Sequence, residues 1–176
     1  MIETERLILR RWREGDLAAY TAIREEPDIA LWLTPIKSVD EMAARIARYD
    51  AGFDVHGIGR WAIERRADGK LIGVCGILPA WHSLPIAPAL DLGWHLTRDA
   101  WGSGFAAEAA RAALADGFAR KPEAREILAV TNEHNTRSQA VALRIGMRRD
   151  PARDFDHPEV EDPAARRSIV FYAARP

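Results

Sequence analysis

Three groups of residues in this chain have types and spacings suited to chemistry. Gly102, Ser103 and Gly104 run without a break into an alanine-rich stretch, WGSGFAAEAARAAL. Asn135 and Ser138 form N-x-x-S just after the strand-like run EILAVT. Asp91 and His95 alternate with Leu92, Trp94 and Leu96 in ALDLGWHL. Backbone N–H groups bared at the mouth of a helix, where the dipole favours negative charge, suit a phosphate or pyrophosphate. Gly102 and Gly104 allow close backbone approach and left-handed dihedrals, and Ala106 is too small to block it. A carboxylate or imidazole suits proton abstraction, and a serine hydroxyl suits proton donation.

Two phosphate-binding schemes fit the glycines. Gly102 to Ala107 matches the dinucleotide fingerprint G-x-G-x-x-G/A, which would make the chain an oxidoreductase using NAD(P) or FAD. That fingerprint begins where a buried strand ends, whereas Thr97 to Trp101 intervene here between Leu96 and Gly102. Its acidic ribose partner, due about 20 residues on, is met only by the somewhat late Glu133. The second scheme asks only for consecutive free N–H groups, read here from Trp101 to Ala106, and suits a pyrophosphate carrier such as coenzyme A.

The elements that must position these groups are legible from periodicity and punctuation. RLILR, Arg6 to Arg10, reads as a first strand. Asp16 is expected to cap a helix whose Leu17, Tyr20 and Ile23 share one face, and which Pro27 and Asp28 end. Ser38 and Glu41 form a capping box for a second helix, closed by Gly57 and Gly59. GRWAIERR and KLIGVCGIL read as a hairpin turning at Ala67-Asp68-Gly69. A strand from Ala89 to Leu96 follows, then the glycine motif with its helix, the strand EILAVT, a helix from about Asn135 to Ile145, and a last strand SIVFYA. Ala109, Ala110, Ala113, Leu114 and Phe118 give the glycine-motif helix an apolar face of mostly small residues, so it can lie close to a sheet. The order predicts a mixed α/β fold, with antiparallel hairpins early and helix-linked strands late.

Length and composition bound the rest. The 176 residues predict one domain, residues 1–176, and 48% hydrophobic with 29% charged residues marks a globular chain. A formal net charge of -1 without a basic block argues against nucleic acid as a partner. No stretch reads as a signal peptide or a bilayer span, and Cys75 alone cannot form an intrachain disulfide. A cytoplasmic protein is expected, as a monomer or homodimer, with no membrane partner. The histidines at 56, 82, 95, 134 and 157 lack ligand spacing, so no metal is expected, and Cys75 reads as core.

WGSGFA resembles the pyrophosphate loop of the GCN5-related N-acetyltransferases, Q/R-x-x-G-x-G/A, with Trp101 where Gln or Arg is more usual. Trp there is common in the branch acting on ribosomal-protein N-termini, the RimJ/RimL type. TERLILRRW, the W-A-I and G-V-C-G-I-L strands, D-L-G-W-H-L, N-E-H-N-T-R-S and R-I-G-M resemble the family in the same order, from about Glu3 to Met147. DFDHP and RRSIVFYA in the tail resemble bacterial members. The resemblance implies a central mixed, mostly antiparallel twisted sheet, splayed at its middle and flanked by helices. It further implies acetyl-CoA as co-substrate and a primary amine as acceptor, on a protein N-terminus or a small molecule.

Site roles follow from the resemblance. Amides of Trp94 and Leu96 would hold the pantetheine and the thioester carbonyl, where one lost donor costs about 3–4 kcal/mol. Trp101, Gly102, Ser103, Gly104, Phe105 and Ala106 would surround the pyrophosphate, and Asn135 the pantetheine arm. Ser138 would protonate the departing thiolate, since Ala142 stands where many relatives carry a Tyr acid. An ordinary helix cap reads equally well for Asn135 and Ser138. Arg137, Arg98 and Arg144 are candidates for CoA phosphates, and Trp32, Trp81 and His82 for the acceptor pocket. Glu108 reads as a structural helix residue. With no activated nucleophile visible, direct attack is expected, although a non-catalytic CoA-binding module fits the same motifs.

The base is the least defined role. An N-terminal amine, with a pKa near 7.7–8.0, leaves roughly one molecule in five to ten neutral at pH 7, against about one in 2,500 for a lysine. Supplying the neutral nucleophile therefore costs about 1 kcal/mol or over 4. Asp91 is the first candidate base and His95, on the same nominal face, the second.

Overall fold

Among the described residues, nine strands join in one sheet of order β1-β2-β3-β4-β5-β6-β9-β7, with β8 paired to β9. A computed structural model describes residues 1–162 and 166–175. The strands are β1 (Ile2–Glu3), β2 (Leu7–Arg10), β3 (Arg60–Arg65), β4 (Leu71–Pro79), β5 (Leu90–Leu96), β6 (Glu126–Asn132), β7 (Arg148–Arg149), β8 (Phe155–Asp156) and β9 (Arg167–Ala174). Every pairing is antiparallel except β5 with β6, which is parallel. The helices are α1 (Asp16–Glu25), the single turn α2 (Pro27–Ala30), α3 (Val39–His56), α4 (Phe105–Arg120) and α5 (Thr136–Arg144).

Strand alternation divides the core by face. Trp61, Ile63, Cys75, Ile77, Leu92 and Leu96 point to the side covered by α4, where Ala109, Ala110, Ala113 and Phe118 meet them. Residues of opposite parity, Val74 and Leu78, pack with Tyr20 of α1 and with Met42 and Tyr49 of α3. The small residues of α4 do let it sit close: a Cβ on Gly117 would lie 2.2 Å from Cδ1 of Ile77.

Several local expectations need correction. Asp16 caps nothing: its carboxylate turns back to Arg13 N–H at 2.7 Å and to the Arg10 guanidinium at 2.7 Å, and Gly15 stands at the cap. Burial alone would raise the Asp16 pKa, but the Arg10 and Arg13 contacts bring it below the ordinary value. Ser38 does accept from Glu41 N–H at 3.1 Å, while the Glu41 carboxylate takes the Lys37 N–H at 2.9 Å, one residue before the expected donor. The strand expected from Arg6 is the second, after β1, and begins at Leu7, the backbone N–H of Arg6 being taken by Glu108 at 2.9 Å.

Candidate active site

The sheet opens between β5 and β6. Their parallel ladder has a single pair, Asp91 with Leu128, and beyond it the strands diverge. The backbone N–H of Val130 turns to the Asp91 carboxylate, so that side chain sits at the fork. Thr97 N–H donates to Ile72 O at 2.8 Å, which sets the alternation on β5: Asp91, Gly93 and His95 bond to β4, while Leu92, Trp94 and Leu96 turn their N–H and C=O groups away from it. The amides of Trp94 and Leu96 therefore face the opening.

Trp101 ties the following loop to this strand end. Its indole N–H donates to Leu96 O at 2.8 Å. The guanidinium groups of Arg98 and Arg137 lie 4.8 and 4.9 Å from its ring, within cation–π range. Arg137 belongs to the first turn of α5, so the ring also brings Asn135 and Ser138 toward the loop. Asn135 Oδ1 accepts from Ser138 N–H at 3.1 Å, so the pair does form an N-cap, which leaves the Ser138 hydroxyl uncommitted among the described residues.

The loop itself is built from left-handed glycines, with φ of 76° at Gly102 and 82° at Gly104. Trp101 N–H is spent on Arg98 O at 3.2 Å, so the run of free amides starts one residue later than the sequence implies. From Gly102 to Ala107 no backbone N–H finds a backbone acceptor among the described residues, and Glu108, bonded to Gly104 O at 3.0 Å, is the first that does. These amides at the start of α4, next to the exposed Gly102 and Ser103, suit a pyrophosphate. Glu108 is structural, as expected: it accepts from Thr4 Oγ1 at 2.6 Å and Arg6 Nε at 2.8 Å, while Arg6 also donates to Ser103 O at 2.9 Å. Arg6 further covers the Phe105 ring at 4.6 Å. Arg98 is held by Asp28 at 3.0 Å, and Arg144 lines a groove of about 590 Å³ together with Gly104, Ala107, Arg111 and Ala112, adjoining the glycine loop.

Both candidate bases lie on the opposite sheet face, under α1 and α3. Asp91 Oδ2 accepts from Arg60 at 2.7 Å, and burial raises the Asp91 pKa although Arg60 and Val130 N–H oppose it. His95 Nε2 lies 2.8 Å from the Tyr20 hydroxyl, with the rings stacked at 5.4 Å. Burial lowers the His95 pKa well below its ordinary value, helped by Arg24, Arg60 and Arg45, so the ring is neutral. Cys75 is core, its thiol pushed up to about 12 by burial, and is no nucleophile. Ala142 is also buried and presents no acid.

Sequence reasoning missed the residues around these bases. Arg24, Arg45, Arg48, Arg60, Tyr20 and Tyr49 come from α1, α3 and β3 and converge on Asp91 and His95. Of the aromatic candidates, Trp81 joins this group through Arg48, 3.5 Å from its ring, whereas no hydrogen bond or ring contact carries the Trp32 or His82 side chain there among the described residues. The one available signal was the strand parity of Arg60, opposite in face to Trp61.

Over residues 6–148 the chain matches the Acetyltransferase (GNAT) domain family. It is 28% identical over 153 residues to YoaA, an uncharacterized N-acetyltransferase of Bacillus subtilis, across 85% of this chain and 84% of that protein. Its fold matches an acetyltransferase from Agrobacterium tumefaciens with a TM-score of 0.79 and 26% identity, covering 99% of this chain and 94% of that one. It also matches Mycobacterium smegmatis RimJ in complex with a CoA disulfide, with a TM-score of 0.74 and 23% identity over 96% of this chain and 81% of that one. This chain belongs to the GNAT acetyltransferases, enzymes with acetyl-CoA as their co-substrate.

Proposed function

We propose that the chain transfers the acetyl group of acetyl-CoA by direct attack of a primary amine, on a peptide N-terminus or a small molecule. The observation that carries this reading is the single-pair ladder between β5 and β6, with the glycine loop tied to the end of β5 by the Trp101 indole bond to Leu96 O. The thioester supplies an activated acetyl group. The Leu96 N–H holds its carbonyl oxygen as charge develops during attack, and Trp94 contributes to binding the arm. Amides from Gly102 to Ala106, with Ser103, Phe105 and the Arg137–Trp101 stack alongside, hold the pyrophosphate. Asn135 orients the first turn of α5, and the Ser138 hydroxyl protonates the leaving thiolate.

The amine approaches from the face of Asp91 and His95. Asp91, with its raised pKa, takes the amine proton through a water, and His95, fixed by Tyr20, is the second candidate. The test pairs a thermal-shift comparison of acetyl-CoA with NADH and a thiol-release assay across peptide N-termini, amino acids, aminoglycosides and polyamines. Stabilisation by acetyl-CoA with thiol release on one acceptor class is expected. Stabilisation with silence across the whole panel would instead make the chain a CoA-binding module, the reading that the buried Ala142 keeps open.

A further inference from the structure

The recess over β5 is built for negative charge. Four arginines reach it: Arg24 from α1, Arg45 and Arg48 from α3, and Arg60 from β3. Among the described residues, two carboxylates form ion pairs with them. Asp91 pairs with Arg60 at 2.7 Å, and Glu41 is 3.9 Å from Arg45. Arg24, itself only 6% exposed, donates to the neutral carbonyl of Thr34. Arg48 lies on the Trp81 ring. The Nε atoms of Arg24, Arg45 and Arg60 are buried without a hydrogen-bond partner.

Space for this arrangement is specific. The Arg60 guanidinium lies flat on β5 at Gly93, where a Cβ would stand 2.5 Å from Nη2. Arg60 and Asp91 are still 19% and 22% exposed in their side chains, so solvent reaches the floor of the recess. Guanidinium forks match carboxylate and phosphate oxygens.

We propose that the recess selects an amine acceptor bearing a carboxylate or phosphate beside its amine, and that it rejects polyamines. The inference rests on the acetyl-transfer reading above and adds a substrate class to it. The excess of positive charge has a second consequence. It disfavours the ammonium form of the bound acceptor, so the attacking amine is delivered neutral without a strong base.

Matched acceptor pairs test this with the full chain at saturating acetyl-CoA. O-phosphoethanolamine is compared with ethanolamine, L-alanine with L-alaninamide, and the peptide amide Asp-Ala-Ala with Lys-Ala-Ala, beside spermidine. The anionic member of at least one pair should have kcat/KM higher by about tenfold or more, with spermidine poorest; which pair responds tells free molecule from peptide terminus. Arg45→Gln, or Arg48→Gln should the first variant fail to fold, should collapse that preference by raising KM for the anionic acceptor. Neutral or cationic acceptors turning over as well as anionic ones, or a preference that survives both variants, would overturn the proposal. Calorimetric titration of O-phosphoethanolamine and of spermidine into CoA-loaded protein decides it independently of turnover: binding of the anion alone supports it, and binding of spermidine alone refutes it. Absence of thiol release with retained anion binding would count against acetyl transfer and leave the anion site standing.

Discussion

The indole N–H of Trp101 donates to the carbonyl of Leu96 at 2.8 Å, joining the glycine loop to the last residue of β5. This bond fixes the loop relative to the one strand end whose amide faces the opening in the sheet. It also gives Trp101 a defined role beyond occupying a position where Gln or Arg is more usual.

Trp101→Phe keeps an aromatic face for Arg98 and Arg137 but removes the donor. The carbonyl of the buried Leu96 then loses its partner, which should cost about 1–3 kcal/mol. A lowered unfolding midpoint in urea, together with a several-fold rise in KM for acetyl-CoA, is the expected outcome. Stability and KM equal to the parent protein would show that the loop is held by other contacts.

Ser138→Ala leaves the Asn135 cap intact, because the bond uses the Ser138 backbone N–H. Turnover should fall with little change in CoA affinity. General acids typically contribute about 10²–10⁴-fold, and a thiolate leaves with little help, so a loss near the low end is expected. Unchanged kcat in a steady-state assay would remove Ser138 as the acid.

Tyr49 reports the positive field without any acceptor. Burial alone would raise its pKa, but Arg60 and Arg45 bring the phenol down from 10.0 to about 8. Of the three tyrosines, Tyr20 shifts the other way. Ultraviolet titration of the native protein should show one phenol ionising near pH 8, and Arg45→Gln should move it upward. Between about pH 8 and 10 the unfolded chain keeps a proton the native one has lost, so this group makes stability rise with pH there. A first native ionisation at about 10, that of an ordinary tyrosine, would contradict the field.

His95 has a signature at lower pH. Its native pKa is depressed from 6.5 by burial and by Arg24, Arg60 and Arg45, so below about pH 6.5 the unfolded state binds more protons. Stability should therefore fall as pH drops through that value and be independent of this group above it. His157, lowered by burial, adds an effect of the same sign. Urea midpoints measured from about pH 7.5 to about pH 5 should slope downward, and His95→Gln should reduce the slope. An identical slope in the variant would mean that His95 titrates normally in the native protein.

Much of the fold was readable because its signals are local. The hairpin at Ala67-Asp68-Gly69, the Ser38 cap and the small face of α4 depend on residues within a turn or two of each other, and the structure contains all three. Asp16 misled because an acidic residue at a helix start is ordinarily a cap, whereas the preceding loop turns back so that the Arg10 guanidinium and the Arg13 N–H claim its carboxylate. The glycine loop was likewise local, except that the amide of Trp101 is consumed by a turn that the sequence does not mark.

By itself, then, the sequence determined the alternation of β5, the bared amides after Gly102 and the order of motifs that carries the acetyltransferase resemblance. These follow from backbone periodicity and side-chain size, which neighbouring residues dictate. The tertiary structure decided where β5 leaves β6, that the Leu96 amide faces that opening, and that arginines as far apart as Arg24 and Arg60 share one recess with Asp91 and His95. Electrostatic fields and strand separation arise between elements distant along the chain, so no local pattern could encode them visibly.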